Sequence, residues 1–393
     1  MQKILIVLLA LVILASCKSQ KAIKSGAKRD VVDSTRVAII PTDTIIPLDT
    51  VSVVLQDSVQ LDIHRLLQDT IRIKAVGDIM LGTNFPDSTY LPPDQGKQML
   101  VGVLDDLSGA DILFGNLEGV LLNSGGTPKN CKNPKTCYLF RSPEYMGLRL
   151  KEAGFNLLSV ANNHAGDFGL EGRKNTSKVL DSLGFWYAGN DIQPTTIFKH
   201  EGMVYGFAAF APNRGTPSIN DLDSAKQTVA RLDSLVDIVI VSFHGGAEGS
   251  KYTAVTREHE YFYNEDRGDV YNFAHEMVKS GADLIIGHGP HVPRAIEIFK
   301  NRLIAYSLGN FATYRRFNLR GVNGLAPIIE VEIGPDGSFL SGRIIPVKQI
   351  GSGIPQHDEN FTTIELIRNL TEKDFPEVGL SIEESGEIVY IHQ

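Results

Sequence analysis

Five times along this chain of 393 residues a short apolar run stops at a polar residue able to hold a metal or move a proton. In the fullest case residues 155–161 run into Asn162-Asn163-His164-Ala165-Gly166-Asp167, and a helical pattern opens after Gly169. Strand, polar tip and helix is how open α/β sheets build sites, because ligands bind beyond the carboxyl ends of the strands. The same device ends 71–76 at Gly77-Asp78 and 111–114 at Gly115-Asn116-Leu117-Glu118. It recurs at His244-Gly245-Gly246-Ala247-Glu248 after 237–243, and at His288-Gly289-Pro290-His291 after 282–287. Such a chain is expected to be an α/β domain with its functional groups gathered at one edge.

The amino terminus gives the address. Lys3 precedes an unbroken apolar run from 4 to 14, which ends in Ala15-Ser16-Cys17 and is too short to span a membrane. Residues 14–17 resemble the bacterial lipobox, which makes 1–16 a lipoprotein signal peptide and Cys17 the lipid-bearing first residue. Lys18 after it favours the outer membrane. Residues 17–68 are rich in Lys, Ser, Thr, Asp and Pro, with β-branched pairs broken by Pro41 and Pro47, and read as a flexible tether. The folded domain is then 69–393. The whole chain's 42% hydrophobic residues supply a sizeable core, and its net charge of −8 without a basic stripe argues against a nucleic-acid partner. In an oxidising envelope compartment Cys131 and Cys137, flanking a short loop with Pro134, read as a disulfide rather than a metal clip.

Further strands are expected at 185–188, 204–210, 295–298 and 302–306, with a hairpin across Gly334-Pro335-Asp336-Gly337. Helices are expected at 95–107, 143–153, 222–235, 269–280 and 361–370.

The tips collect Asp78, Glu118, Asn163, His164, His244, Glu248, His288 and His291. Each has an ordinary structural use, since an Asp after Gly can cap a turn and a lone His can hydrogen-bond in a core. Their agreement across five tips singles them out. Imidazole, carboxylate and amide oxygens together suit a hard or borderline divalent cation such as Mn, Zn or Fe, and two such ions could clamp a phosphoryl group.

The stretches AVGDIMLG, DILFGNLEGVL, FRSPEYMGLRLKEAGFNLLSVANNHAGDFGLEG, VSFHGGAE, GADLIIGHGPHVPRAIEI and LIAYSLGNF occur in that order over about 71–312. They resemble the bacterial capsule synthesis protein CapA family, of poly-γ-glutamate capsule biosynthesis, a branch of the calcineurin-like metallophosphoesterase superfamily. The resemblance implies a four-layer α/β/β/α sandwich with one or two divalent ions at the strand ends. It makes Asp78 the first-strand ligand, Glu118 the bridging acid and Asn163 the asparagine ligand of a Gly-Asn-His motif, with Asn162 in the glycine's place. His164 takes the role of the histidine that orients substrate or protonates the leaving group, and His244, His291 and His288 those of later ligands. The chain departs from the pattern at three points. Asp78-Ile79-Met80 lacks the imidazole of Asp-x-His, the bridging acid is Glu, and His-Gly-Pro-His is one residue longer than the usual spacing. One metal position is thereby short of ligands.

Asp167 is expected to orient His164, while Arg141, Arg267, Asn310 and Glu248 are candidates to touch substrate. The expected function is a lipid-anchored, metal-dependent hydrolase of the cell envelope, acting on a phosphoester or on an anionic polymer in capsule or poly-γ-glutamate synthesis. The alternative is a non-catalytic polymer-binding, export or assembly factor with the same fold. The family name also implies a membrane capsule synthase as partner.

Overall fold

The computed structural model describes residues 70–131 and 137–391. The expected signal peptide 1–16, the anchor Cys17 and the tether 17–68 lie outside the described residues. Strand β1 (Ile71–Met80) is buried on both faces apart from Arg72, as a central strand must be. In parallel beside it run β2 (Ile112–Leu117), β3 (Leu157–Ser159) and β4 (Trp186–Ala188). A second sheet follows from β5 (Thr195–His200), β6 (Met203–Phe210), β7 (Ile238–His244), β8 (Leu284–His288), β9 (Ile296–Phe299) and β10 (Arg302–Ala305). Its order is β9-β10-β8-β7-β6-β5.

The chain then returns to the first sheet through β11 (Asn310–Thr313), β12 (Ile328–Ile333), β13 (Phe339–Ile345), β14 (Leu380–Ile382) and β15 (Glu387–Tyr390). That sheet has nine strands, ordered β14-β15-β13-β12-β1-β2-β3-β4, with β11 paired to β1.

The sheets pack face to face through residues that alternate inward, among them Ile73, Phe114 and Leu157 from one and Phe207, Ile240 and Ile286 from the other. On the outer face of the first sheet, α1 (Tyr145–Glu152) and α2 (Gly169–Ser182) bury Met146, Leu150, Val179 and Leu180 against Leu113 and Leu158. On the outer face of the second, α3 (Leu222–Asp233) and α4 (Val270–Lys279) bury Val229, Leu232, Phe273 and Met277 against Val239, Val241 and Ile285. A fifth helix, α5 (Thr362–Asp374), contributes Ile364 and Ile367 to the central core. The result is the expected α/β/β/α sandwich. Among the described residues no helix is long and apolar enough to cross a membrane.

The joint between the sheets positions the site. Strand β12 pairs with β1 only from Ile71 to Val76, and β11 takes over at Asp78, opposite Asn310. The register between β1 and β2 also shifts between Ala75 and Asp78. Gly77 makes the change of partner feasible, because a Cβ there would lie 2.1 Å from the Gly309 carbonyl oxygen. Asp78 N donates to that same oxygen at 2.9 Å. Across the joint, a Cβ on Gly287 would meet the Tyr306 carbonyl oxygen at 2.3 Å. Residues 306–309, which carry the chain from one sheet to the other, are thus gripped from both sides.

Three local expectations are corrected. The 95–107 helix is instead two 3₁₀ turns, Pro93–Gly96 and Val101–Val103, and one helical turn, Leu104–Leu107. Asp94 and Gln95 are left-handed, and Gly102 interrupts the run, so Met99, Leu100 and Val103 turn into the core without a continuous helix. The strand expected over 155–161 pairs only as Leu157–Ser159, because Asn162 is needed for side-chain bonding at the tip. Strand β5 was not anticipated; it is an antiparallel edge whose Ile197 faces solvent.

Replacing Gly77 by Ala should destabilise the protein by about 1–3 kcal/mol through overpacking at this joint, seen as a lower urea midpoint.

Candidate metal centre

The carboxyl ends of β1, β2, β7 and β8 converge. Asp78 is fully buried, its Oδ1 accepting from Asn116 Nδ2 at 2.7 Å and its Oδ2 from His291 Nδ1 at 2.8 Å. His288 Nδ1 stands 3.4 Å from Oδ1 without hydrogen-bond alignment. Asn116 also donates to Glu118 Oε2 at 2.8 Å, so one amide ties both acids together. Residues two apart on an extended chain share a face, which is why Asn116 and Glu118 point the same way. His244 and His288 sit opposite each other in the β7–β8 register. His291 adopts φ +57, an uncommon conformation for this residue, and Asn310 holds it there. Asn310 Oδ1 accepts from His291 Nδ1 at 3.1 Å and its Nδ2 donates to the His291 carbonyl at 3.1 Å. With Nδ1 so engaged, Nε2 is the free nitrogen.

Donor atoms of Glu118, His244 and His291 lie within 4.8 Å of one another. Around them are buried polar atoms with no hydrogen-bond partner, Glu118 Oε1 and both ring nitrogens of His244 and of His288; Asn163 Oδ1, on the tip next to His164, is likewise buried and unpartnered. Each such orphan costs about 1–3 kcal/mol, and proteins rarely collect them in one place. A divalent cation would satisfy Glu118 Oε1 and one nitrogen of each ring, and mixed nitrogen and oxygen donors fit one.

The charges within the cluster are unevenly shared. Burial opposes charge on Asp78, but the hydrogen bond from His291 and the nearby His288 ring outweigh it and hold the carboxyl well below the usual carboxylate range. Burial disfavours the His291 cation too, yet Asp78 lifts that ring to about 9, so the two form a buried ion pair, and a metal bound at Nε2 would take the place of that proton. Burial pushes Glu118 well above its ordinary value, with the Asp78 charge adding to the effect. His244 is pushed well below its ordinary value, again by burial, and its lone pair is available to a metal.

His164 stands beside this cluster, its Nε2 3.9 Å from Glu118 Oε1. Asn162 Oδ1 accepts from His164 N at 3.1 Å and shapes the tip, while Asn162 Nδ2 donates to Asn116 Oδ1 and the Leu117 carbonyl. His164 Nδ1 and Asp167 Oδ2 are 2.7 Å apart, which fixes the ring and leaves Nε2 towards the centre. Burial lowers the His164 pKa, partly opposed by Asp167. The Phe140 ring lies 4.1 Å from the His164 ring, and Phe317 stacks on Phe140 and meets His291 edge-on, walling this side.

The sequence-based candidates separate into three groups. Asp78, Glu118, His164, His244, His288 and His291 come together, with Asn163 supplying an orphan oxygen and Asp167 and Asn310 orienting two imidazoles. Arg267 and Glu248 flank them as an ion pair, Nη1 to Oε1 at 3.0 Å, with Arg267 Nε donating to the Gly246 carbonyl at 3.2 Å. Arg267 is 1% exposed and its Nη2 has no partner. Arg141 bonds instead to Asn84 Oδ1 and the Gly125 carbonyl, its guanidinium against the Phe85 and Phe168 rings. Cys131 and Cys137 form a disulfide with S–S 2.06 Å. Sequence reasoning missed Asn116, Lys129, Phe140 and Phe317. The spacing of Asn116 from Glu118 was a usable signal; the others act across long sequence separations.

Residues 72–315 match the family model described as bacterial capsule synthesis protein PGA_cap, more than half of the chain. The chain belongs to this family. It is 28% identical over 271 residues to the PGA biosynthesis protein CapA of Bacillus subtilis (strain 168), covering 62% of this chain and 63% of that one. It is likewise 28% identical over 263 residues to the capsule biosynthesis protein CapA of Bacillus anthracis, covering 62% and 60%. The chain thus matches less than two thirds of the length of these relatives. Two solved structures resemble it remotely. A 5'-nucleotidase precursor from Thermus thermophilus has TM-score 0.40 and 12% identity, over 79% of this chain and 59% of that one. The purple acid phosphatase PPD1 of yellow lupin has TM-score 0.33 and 11% identity, over 70% and 54%. Likeness this remote says nothing by itself about the chemistry of a PGA_cap protein.

The orphaned donors predict that the purified protein carries Mn, Zn or Fe, measured by elemental analysis. Glu118→Ala and His244→Ala should each lose most of it, whereas Arg141→Ala should retain it. Chelation should lower the melting temperature, and re-addition at about 100 times Kd should restore roughly 2.7 kcal/mol.

Proposed function

We propose that this protein is a metal-dependent hydrolase of the cell envelope that cleaves a phosphoester during synthesis of an anionic capsule polymer such as poly-γ-glutamate. The observation that carries this reading is the set of buried, unpartnered donors on Glu118, His244, His288 and Asn163, beside an imidazole whose Nε2 is left free. A divalent cation held there would supply Lewis acidity to a phosphoryl oxygen. A water molecule would form the new bond to phosphorus as the leaving oxygen departs, and the chain's own residues would supply the rest. In its cationic form, which Asp167 at Nδ1 favours against burial, His164 would give the Nε2 proton to the leaving oxygen. Arg267 has a spare Nη2 for an anionic oxygen of the substrate, with Glu248 bracing its Nη1. The Phe140 and Phe317 rings would exclude water from the His164 side.

The lipobox-like residues 14–17 support a lipid anchor at Cys17, with the outer membrane favoured by Lys18. A membrane capsule synthase is the partner we propose, since making a capsule polymer needs an enzyme that joins its units. A polymer-binding role without catalysis is less well supported, because it gives no use to the oriented His164–Asp167 pair.

Loaded with Mn or Zn, the protein should hydrolyse p-nitrophenyl phosphate or bis(p-nitrophenyl) phosphate; cleavage of poly-γ-glutamate alone, an amide polymer, would overturn the phosphoester assignment. His164→Ala should lower kcat by about 10²–10⁴-fold with metal content unchanged. Metal-loaded protein that cleaves none of these but binds the polymer would move the assignment to the binding role.

A further inference from the structure

Asp167 is gripped from two sides. From one, Lys129 Nζ stands 2.5 Å from Asp167 Oδ1, an ion contact without hydrogen-bond alignment, and Lys129 N donates to the Asp167 carbonyl at 2.8 Å. The same ammonium donates to the Asn163 carbonyl at 3.2 Å, so it spans the tip that carries Asn163 and His164. From the other side, Phe140 N donates to Asp167 Oδ2 at 2.7 Å, and the Phe140 ring covers the His164 ring. Asp167 is fully buried, and a buried carboxylate without a compensating cation is costly and poorly held.

The two grips are not equally secure. Phe140 is tied to the first sheet's side of the molecule, its carbonyl accepting from Val120 N at 3.2 Å. Residues 126–131 belong to no helix or strand. Besides the Arg141 Nη1 hydrogen bond to the Gly125 carbonyl, what fastens the Lys129 flank to the Phe140 flank is the Cys131–Cys137 disulfide, a covalent link two residues after Lys129 and three before Phe140. Both cysteines pack on the small cluster of Val120, Leu122, Leu139 and Phe168, and Phe168 directly follows Asp167. The covalent link, the two grips and the dyad share one patch.

We propose that Lys129 is a positioning residue for the His164–Asp167 pair, kept in place by the Cys131–Cys137 disulfide, so that the pair is set for proton transfer only while that bond is closed. The proposal rests on the hydrolase reading above. A dithiol reductant would open the bond by delivering two electrons and two protons, leaving two thiols here and a disulfide on the reductant. The chain would then stay inactive in a reducing cytoplasm and become competent after export to an oxidising compartment.

The test uses the full-length, metal-loaded chain in detergent, with Lys129→Met, Lys129→Arg, the double variant Cys131→Ser/Cys137→Ser, and wild type treated with dithiothreitol. One readout needs no substrate: the downfield Nδ1–H proton resonance of His164, assigned by its loss in His164→Ala. It should shift or broaden away in Lys129→Met, in the double variant and on reduction, and return in Lys129→Arg, while metal content is unchanged. With bis(p-nitrophenyl) phosphate, kcat should fall about tenfold or more in the same samples, with KM within about twofold. An unmoved resonance in Lys129→Met overturns the role of Lys129. An unmoved resonance in both the double variant and the reduced protein overturns the role of the disulfide. Loss of metal in these variants would make the segment a structural support of the centre and overturn positioning. If wild type hydrolyses nothing, the hydrolase reading fails, and the resonance still decides whether Lys129 and the disulfide set the dyad.

Discussion

Asp78 carries the connection between the two halves of this molecule. Its carboxylate rises from the first sheet and is held by imidazoles that belong to the second, His291 in hydrogen bond and His288 close by. A charge buried this deeply survives only with a partner, and removing either one strands the other. The pairing also demands that the two sheets meet within contact distance at their carboxyl ends. Gly77 and Gly287 allow it, one against the Gly309 carbonyl and the other against that of Tyr306. The site therefore exists because of a backbone approach, and the ligand residues follow from it.

The cluster that results is uneven. Asp78, Asn116, Asn310 and His291 form a closed hydrogen-bonded set. Glu118 Oε1, His244, His288 and Asn163 form an open one, buried and unpartnered. A folded protein tolerates unpaired polar groups where something else is meant to bind them. Met80, where the related pattern has an imidazole, is buried and apolar, so the first strand adds nothing to the open set. The open side is also where His164 presents Nε2 and where Arg267 has a spare donor. Binding capacity and proton-transfer capacity thus face each other across Glu118.

Much of this was legible residue by residue. The apolar runs before Asp78, Glu118, His244 and His288 mark buried parallel strands, and period-2 and period-3.6 patterning separates them from the helices that follow. The tips themselves carried the ligand types. What misled was local: the 95–107 stretch has helical spacing but also Gly102 and left-handed Asp94 and Gln95, so tertiary burial of Met99 and Val103 won over a continuous helix. Strand β5 escaped because one exposed edge strand needs little apolar signal.

The sequence by itself determined that the chain is a layered α/β fold with metal-type ligands at its strand ends, because alternation and residue chemistry are local properties. Only the tertiary structure decided which ligands are spent on each other and which stay open. It also decided that Lys129 and Phe140, far from Asp167 in sequence, close on it, and that Arg141 turns to Asn84 and Gly125 rather than to the cluster. The reason is that hydrogen-bond satisfaction depends on distances of a few tenths of an ångström between distant segments. Those distances are fixed where two sheets are pressed together, and no pattern along one strand records them.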